Sequence, residues 1–352
     1  MGKSVEVDQD VRARNVLTQY WGEIAAEPVF FHGIRGGFSG SRVWKVGLSH
    51  SQAAYLKKWP TIGPSASRLA LIHRVLTQIQ YLQPLREISP LRVTVPIRNC
   101  LGDSITQADG HLWELSPEIS GTPKRPADLQ KSDIDSAMQT VAEIHLALDQ
   151  IGRIDPTNWP YSGCKIPSPG LKRRSQWLER IREDLSSFSR LQPPNTAPSN
   201  VQTKFKQLLE AALPLVAPSA VTAHWIECKL PIQPCIRDLW YAHVLFDKSQ
   251  VTGIIDFGSI GEDCVVTDLA RLLRSWIPQE AVEFRLAIAS YQKTRGLTEV
   301  ELASLEVFDR TARVLSAFQW IEWLAVERRE FEDWEAVSDR LDFVLARLPH
   351  RN

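Results

Sequence analysis

The segment "CIRDLWYAHVLFDKSQVTGIIDFG" (235–258) constrains this chain more than any other stretch. Two apolar runs, "VLF" and "VTGII", flank the turn "DKSQ", which predicts a short β-hairpin. Acids bracket that hairpin: Asp238 lies five residues ahead of His243, and Asp256 closes the second run and opens D-F-G. A hard divalent cation prefers carboxylate oxygen, so Asp256 is suited to hold Mg2+. D-F-G alone is a short string that arises by chance. Its place eighteen residues after Asp238, across a hairpin, is what carries the argument.

Upstream, the pattern is β-rich. Val11, Val16, Leu17, Tyr20, Trp21 and Ile24 mark a leading helix, and "PVFFHGI", "SRVWKVGL" and "AAYLKKW" read as three strands. The turn "RGGFSGS" joins the first two. Its Gly36 and Gly37, with Phe38 and Ser39, would let backbone N–H groups approach phosphate oxygens, although any hairpin turn uses such residues. The third strand offers Lys57 or Lys58 to an anion, and only one can face it, because neighbouring strand residues point to opposite faces. A helix follows at "SRLALIHRVLTQIQYL", which contains Ser67, Arg68 and His73 but no acid; Glu87 lies beyond Pro84. "LRVTVPI" and "GHLWELS" read as further strands.

After "PEISGTP" helices take over. Ser132 to Ile151 is one, with Ser132 and Asp133 as caps; others lie near 171–189 and 199–216, and the chain is mostly helical from Thr267. The expectation is an α+β chain with a β-rich N-lobe over 1–115 and a helical C-lobe over 116–352 carrying the Asp238 and Asp256 segments. Forty-one Lys and Arg balance 41 Asp and Glu, so neither nucleic acid nor an anionic membrane is an expected partner. Five scattered cysteines without a C-x-x-C pair, no apolar span of 18 residues and a polar N-terminal stretch point to a cytoplasmic protein with reduced thiols.

Read in order, these motifs resemble the aminoglycoside phosphotransferase family, small-molecule kinases with the protein-kinase-like fold. "GGFSGSRVWKV" is similar to its Gly-rich hairpin, "AYLKKWP" to its lysine strand and "LWELSPEISGTP" to its hinge. "VAEIHLALD" resembles its L-A-x-L-H helix, and "IRDLWYAHVLF" with "TGIIDFGSIGEDCVVTDLARLL" its catalytic and metal segments. The resemblance implies a bilobal fold and ATP-dependent phosphate transfer to a hydroxyl of a small metabolite. It implies Asp238 as base, Asp256 as Mg2+ ligand, Lys57 at the α/β-phosphates and Glu114 with its neighbours at adenine. Asp268 and His145 would support the catalytic loop, or serve as a cap and a core histidine.

Three positions depart from the family pattern: Ile236-Arg237 stands for His-Gly, Trp240 for a second His, and His243 for Asn. His243 could ligate the metal, favouring Mn2+ through its nitrogen, donate to a phosphate, or pack beside Asp238. With no acid on the helix after the lysine strand, a pseudokinase-type nucleotide-binding or interaction module is the alternative. The acids Glu327, Glu330, Glu332 and Asp333 could meet a cationic substrate or form a solvated helix face. The residues specify no substrate and no oligomeric state.

Overall fold

The structure is a computed structural model of the chain and describes residues 2–21, 30–34, 38, 40–47, 53–82, 93–277 and 282–349. In chain order the first elements are α1 (Gly2–Trp21), β1 (Phe31–Ile34), β2 (Arg42–Gly47), β3 (Ala53–Lys58), α2 (Ala66–Leu82), β4 (Thr106–Ala108), β5 (His111–Pro117) and β6 (Thr122–Pro123). Then come α3 (Lys131–Ile154), β7 (Lys165–Pro167), α4 (Pro169–Glu183), α5 (Leu185–Phe188), α6 (Ser199–Ala212), α7 (Ala223–Glu227), β8 (Lys229–Pro231) and β9 (Gln233–Cys235). The last are β10 (Val244–Asp247), β11 (Gln250–Ile254), β12 (Gly261–Asp263), α8 (Val266–Trp276), α9 (Val282–Gln292), α10 (Glu299–Ile321) and α11 (Trp334–Leu345). They form two compact units, Met1–Lys124 with Ala242–Gly258, and Arg125–Tyr241 with Ser259–Asn352. The protein-kinase-like plan of a β-sheet N-terminal region and a helical C-terminal region is present.

In the first unit, β1-β2-β3-β5-β4 make an antiparallel sheet. Alternation along β3 sorts its side chains. Ala54 and Leu56 join Trp44, Val46, Trp113 and Leu115 in a core closed by Ala13, Val16, Leu17 and Tyr20 of α1. Fully burying a side chain of this size stabilises by about 1.5–3 kcal/mol. The intervening Tyr55 and Lys57 face away from that core and line a cavity. α2 starts where Ser65 Oγ accepts the Arg68 N–H (3.2 Å), and buries Leu69, Ile72, Val75, Leu76 and Ile79 at helical spacing. The β10–β11 hairpin turns through Lys248 at φ 51° and is extended by β6.

Two local expectations are corrected. "LRVTVPI" is not a strand over its described residues: only Val93 and Ile97 make isolated bridges, to Ile254 and Leu115. Pro96 has no N–H to give a ladder. The helix expected from Ser132 begins at Lys131, and Asp133 lies in its first turn, accepting the Gln130 N–H (2.8 Å).

The second unit packs α4, α8 and α10 around Leu171, Val266, Ala270, Val307 and Phe308. Within it His145 of α3 is fully buried, 3.1 Å from Asp268 Oδ2 and 2.8 Å from the Tyr291 hydroxyl. Burial lowers the His145 pKa, outweighing the pull of Asp268, and raises that of Tyr291 well above the ordinary phenol value. The network therefore assigns a neutral ring: Nε2–H donates to Asp268, and Nδ1 accepts from Tyr291. The unfolded chain binds this proton first, with an ordinary value near 6.5. Its stabilisation is thus present above roughly pH 6.5 and is lost as pH falls from there toward the lower folded value. The Tm advantage of the wild type over His145→Gln should shrink on acidification from pH 7.5 to 5; an advantage that grows would contradict the assignment.

Candidate active site

The first unit's cavity, about 500 Å3, is lined on one side by β3 and β5 and on another by α2 and residues 255–258. Lys57 and Glu114 are cross-strand partners on β3 and β5, and both face it. Lys57 Nζ lies 3.5 Å from Asp256 Oδ1 and 3.8 Å from the centre of the Trp59 ring. Lys58 points the other way, to Gln9 Oε1 (3.1 Å) and the Trp113 ring. Asp256 adopts a left-handed backbone (φ 63°), a conformation that costs a non-glycine residue about 1–3 kcal/mol and directs its carboxylate toward Lys57 and His243. Gly258 follows because a Cβ there would come within 2.9 Å of Trp59.

His243 Nε2 stands 3.8 Å from Asp256 Oδ2. Burial pushes the Asp256 carboxyl up, but the Lys57 ammonium, the His243 ring and the Gly258 N–H together hold it below the ordinary carboxylate value. The group is therefore ionised at neutral pH. A carboxylate and an imidazole within reach of each other suit a divalent ion that takes its other ligands from phosphate and water.

The sequence does not mark His73 as a site residue. It stands on α2, where the sequence shows no acid, and its Nε2 lies 2.8 Å from Glu114 Oε2 while its Nδ1 lies 2.8 Å from Ser104 Oγ. The acid opposite Lys57 thus comes from β5 and is held by the helix. Glu118, also on the cavity wall, accepts from Lys45 (2.7 Å) and Tyr55 (2.9 Å). Phe38 is half-buried in a turn; Gly36, Gly37 and Ser39 lie outside the described residues, as does Glu87.

In the second unit Asp268 fixes the segment that carries Asp238. Its carboxylate accepts the backbone N–H groups of Ile236 (2.8 Å) and Arg237 (2.6 Å). Arg237 occupies φ 68°, which explains why a glycine suits that position and what the departure from it costs. Asp238, about one-third exposed, is bonded by Arg271 Nη2 of α8.

The phosphotransferase enzyme family (APH) matches residues 31–303 of the chain. This chain belongs to that family. Solved structures with the same fold include the GDP complex of wild-type aminoglycoside 2'-phosphotransferase-IIIa (15% identity, 96% of this chain and 98% of that one, TM-score 0.55). Spectinomycin phosphotransferase with ADP and spectinomycin is similar (13%, 96% and 93%, 0.57), as is an amicoumacin kinase in complex with AMP-PNP, Ca2+ and Ami (15%, 96% and 96%, 0.56). No curated protein matches the chain. The matched span includes Lys57, Glu114, Asp238, His243 and Asp256. No helix among the described residues is long and apolar enough to cross a membrane.

Proposed function

We propose that this chain transfers the γ-phosphate of ATP to a hydroxyl of a small molecule. The observation that carries the reading is the convergence of Lys57, Glu114 and ionised Asp256 on the first unit's cavity. The nucleotide complexes of GDP, ADP and AMP-PNP with Ca2+ in similar structures support a nucleotide and a divalent cation here. Asp256 and His243 would hold Mg2+, or Mn2+, against the phosphates, and the ion would neutralise their charge. Lys57 would contact the α/β-phosphates, and Glu114 with its neighbours would border the adenine. Gly36, Gly37, Phe38 and Ser39 would cover the phosphates.

In the reaction the acceptor oxygen forms a bond to the γ-phosphorus as the bond to the bridging β,γ-oxygen breaks. Asp238 takes the hydroxyl proton and ADP leaves. Five free cysteines are consistent with a reducing, cytoplasmic setting.

A second reading, a nucleotide-binding module without catalysis, is favoured by His243 in place of Asn and by the lack of an acid on α2. ADP release across a panel of hydroxylated metabolites, with Mg2+ and with Mn2+, separates the two. Acceptor-stimulated release is expected; none with either metal and any acceptor supports the second reading. In the same assay His243→Asn should shift the metal preference from Mn2+ toward Mg2+ by about tenfold, because an amide oxygen replaces a nitrogen donor. An unchanged preference would place His243 outside the metal's ligand set.

A further inference from the structure

The helical unit holds a cavity of about 60 Å3 beside the Asp238 segment, between Trp240, α8, α10 and α11. A single water needs about 10–15 Å3, so the space admits a small oxyanion group. Its lining is strongly cationic: Arg271, Arg274, Arg313, Arg340 and Arg347 against one acid, Asp309. With Asp238 counted as the partner of Arg271, five positive and two negative groups leave an excess of three.

Three of the arginines have structural duties. Arg274 and Arg313 share Asp309, at 2.7 and 2.9 Å, and Arg347 donates to the carbonyls of Arg274 and Ser275 at 3.1 Å, closing the end of α8. The other two are different. Arg340 is stacked on Trp240 (4.1 Å) and Phe343 (4.8 Å) and makes no hydrogen bond or ion pair among the described residues; its Nε is buried without a partner. Arg271 gives one nitrogen to Asp238, and its buried Nε has no partner either. Burial and the nearby Arg271 charge push the Arg340 pKa down to about 10, yet the group stays charged at neutral pH.

Buried guanidinium donors left unsatisfied are costly, and a planar fork with open N–H groups fits a carboxylate or phosphate. We propose that this cavity binds an oxyanion group of the acceptor, so that the substrate is a hydroxylated carboxylate or phosphate ester and not a polycation. This rests on the phosphotransferase reading, because it takes Asp238 as the base. Arg271 links the two features: an anion on its free edge lies one side chain from Asp238, which places a hydroxyl of the same molecule within reach of the base. Two of the acids further along have partners of their own. Glu327 is paired with Arg329 (2.6 Å), and Asp333 caps α11 by accepting the Ala336 N–H (3.0 Å).

The test is calorimetric titration of gluconate and glucosamine into the wild type, Arg340→Gln and Arg340→Lys. Gluconate should bind the wild type, and bind Arg340→Gln at least about tenfold more weakly. Arg340→Lys keeps the charge without the fork and should be weakened severalfold, which retains the test if the Gln variant does not fold. Glucosamine should not bind. The proposal is overturned if gluconate does not bind, if its binding ignores Arg340, or if glucosamine binds as well as gluconate. Binding is read without turnover, so an absence of phosphate transfer would count against the reading of the reaction while leaving the anion result to stand or fall by itself.

Discussion

Asp238→Asn should lower kcat for phosphate transfer by about 10²–10⁴-fold while changing nucleotide affinity by less than about threefold. The substitution keeps the volume and one acceptor oxygen but removes the group proposed to take the hydroxyl proton. Arg271, bonded to that carboxylate, would lose its charged partner, so KM for an anionic acceptor should stay level or fall while kcat drops. Steady-state kinetics with a calorimetric ATP titration on the same variant separates the two parameters. A variant with wild-type kcat would remove Asp238 from the chemistry.

Asp268→Ala should destabilise the protein by roughly 3–5 kcal/mol, because it leaves three buried donors without their acceptor. Asp268 is fully buried, and three donors depend on it: the Ile236 and Arg237 N–H groups and the ring of His145. Each donor left unpaired costs about 1–3 kcal/mol. The left-handed Arg237 backbone would also lose the bond that holds it. Asp268→Asn, with one acceptor oxygen retained, should cost less. Chemical denaturation measures both, and a loss under about 1 kcal/mol for the alanine variant would mean that the catalytic segment is held by other contacts.

Much of the fold is legible because it rests on local patterns. Alternation along "AAYLKK" places Lys57 and Lys58 on opposite faces, and the paired runs around "DKSQ" form the hairpin. Where a pattern was ambiguous, tertiary context decided: "LRVTVPI" is β-branched and apolar, yet it finds only two single bridges and contains Pro96. The site is less legible than the fold. His73 and Glu114 are 41 residues apart, and nothing in helical or strand periodicity says that a histidine on α2 will hold an acid on β5. The arginine cavity is harder still, since Arg271 and Arg340 stand on α8 and α11, 69 positions apart in the sequence. A signal existed in the run of arginines on α8, "LARLLRSW", whose two basic positions are three apart on one face. The positive φ at Arg237 is visible only by comparison with a glycine at that place.

The first unit's cavity is proposed to take a nucleotide through Lys57 and Asp256. Calorimetric titration of ATP, with Mg2+ and with Mn2+, into the wild type, Lys57→Met and Asp256→Asn tests it most directly. One site per chain is expected in the wild type, metal-dependent, and weakened at least about tenfold in each variant. Absence of binding with both metals, or equal affinity in all three proteins, would contradict it.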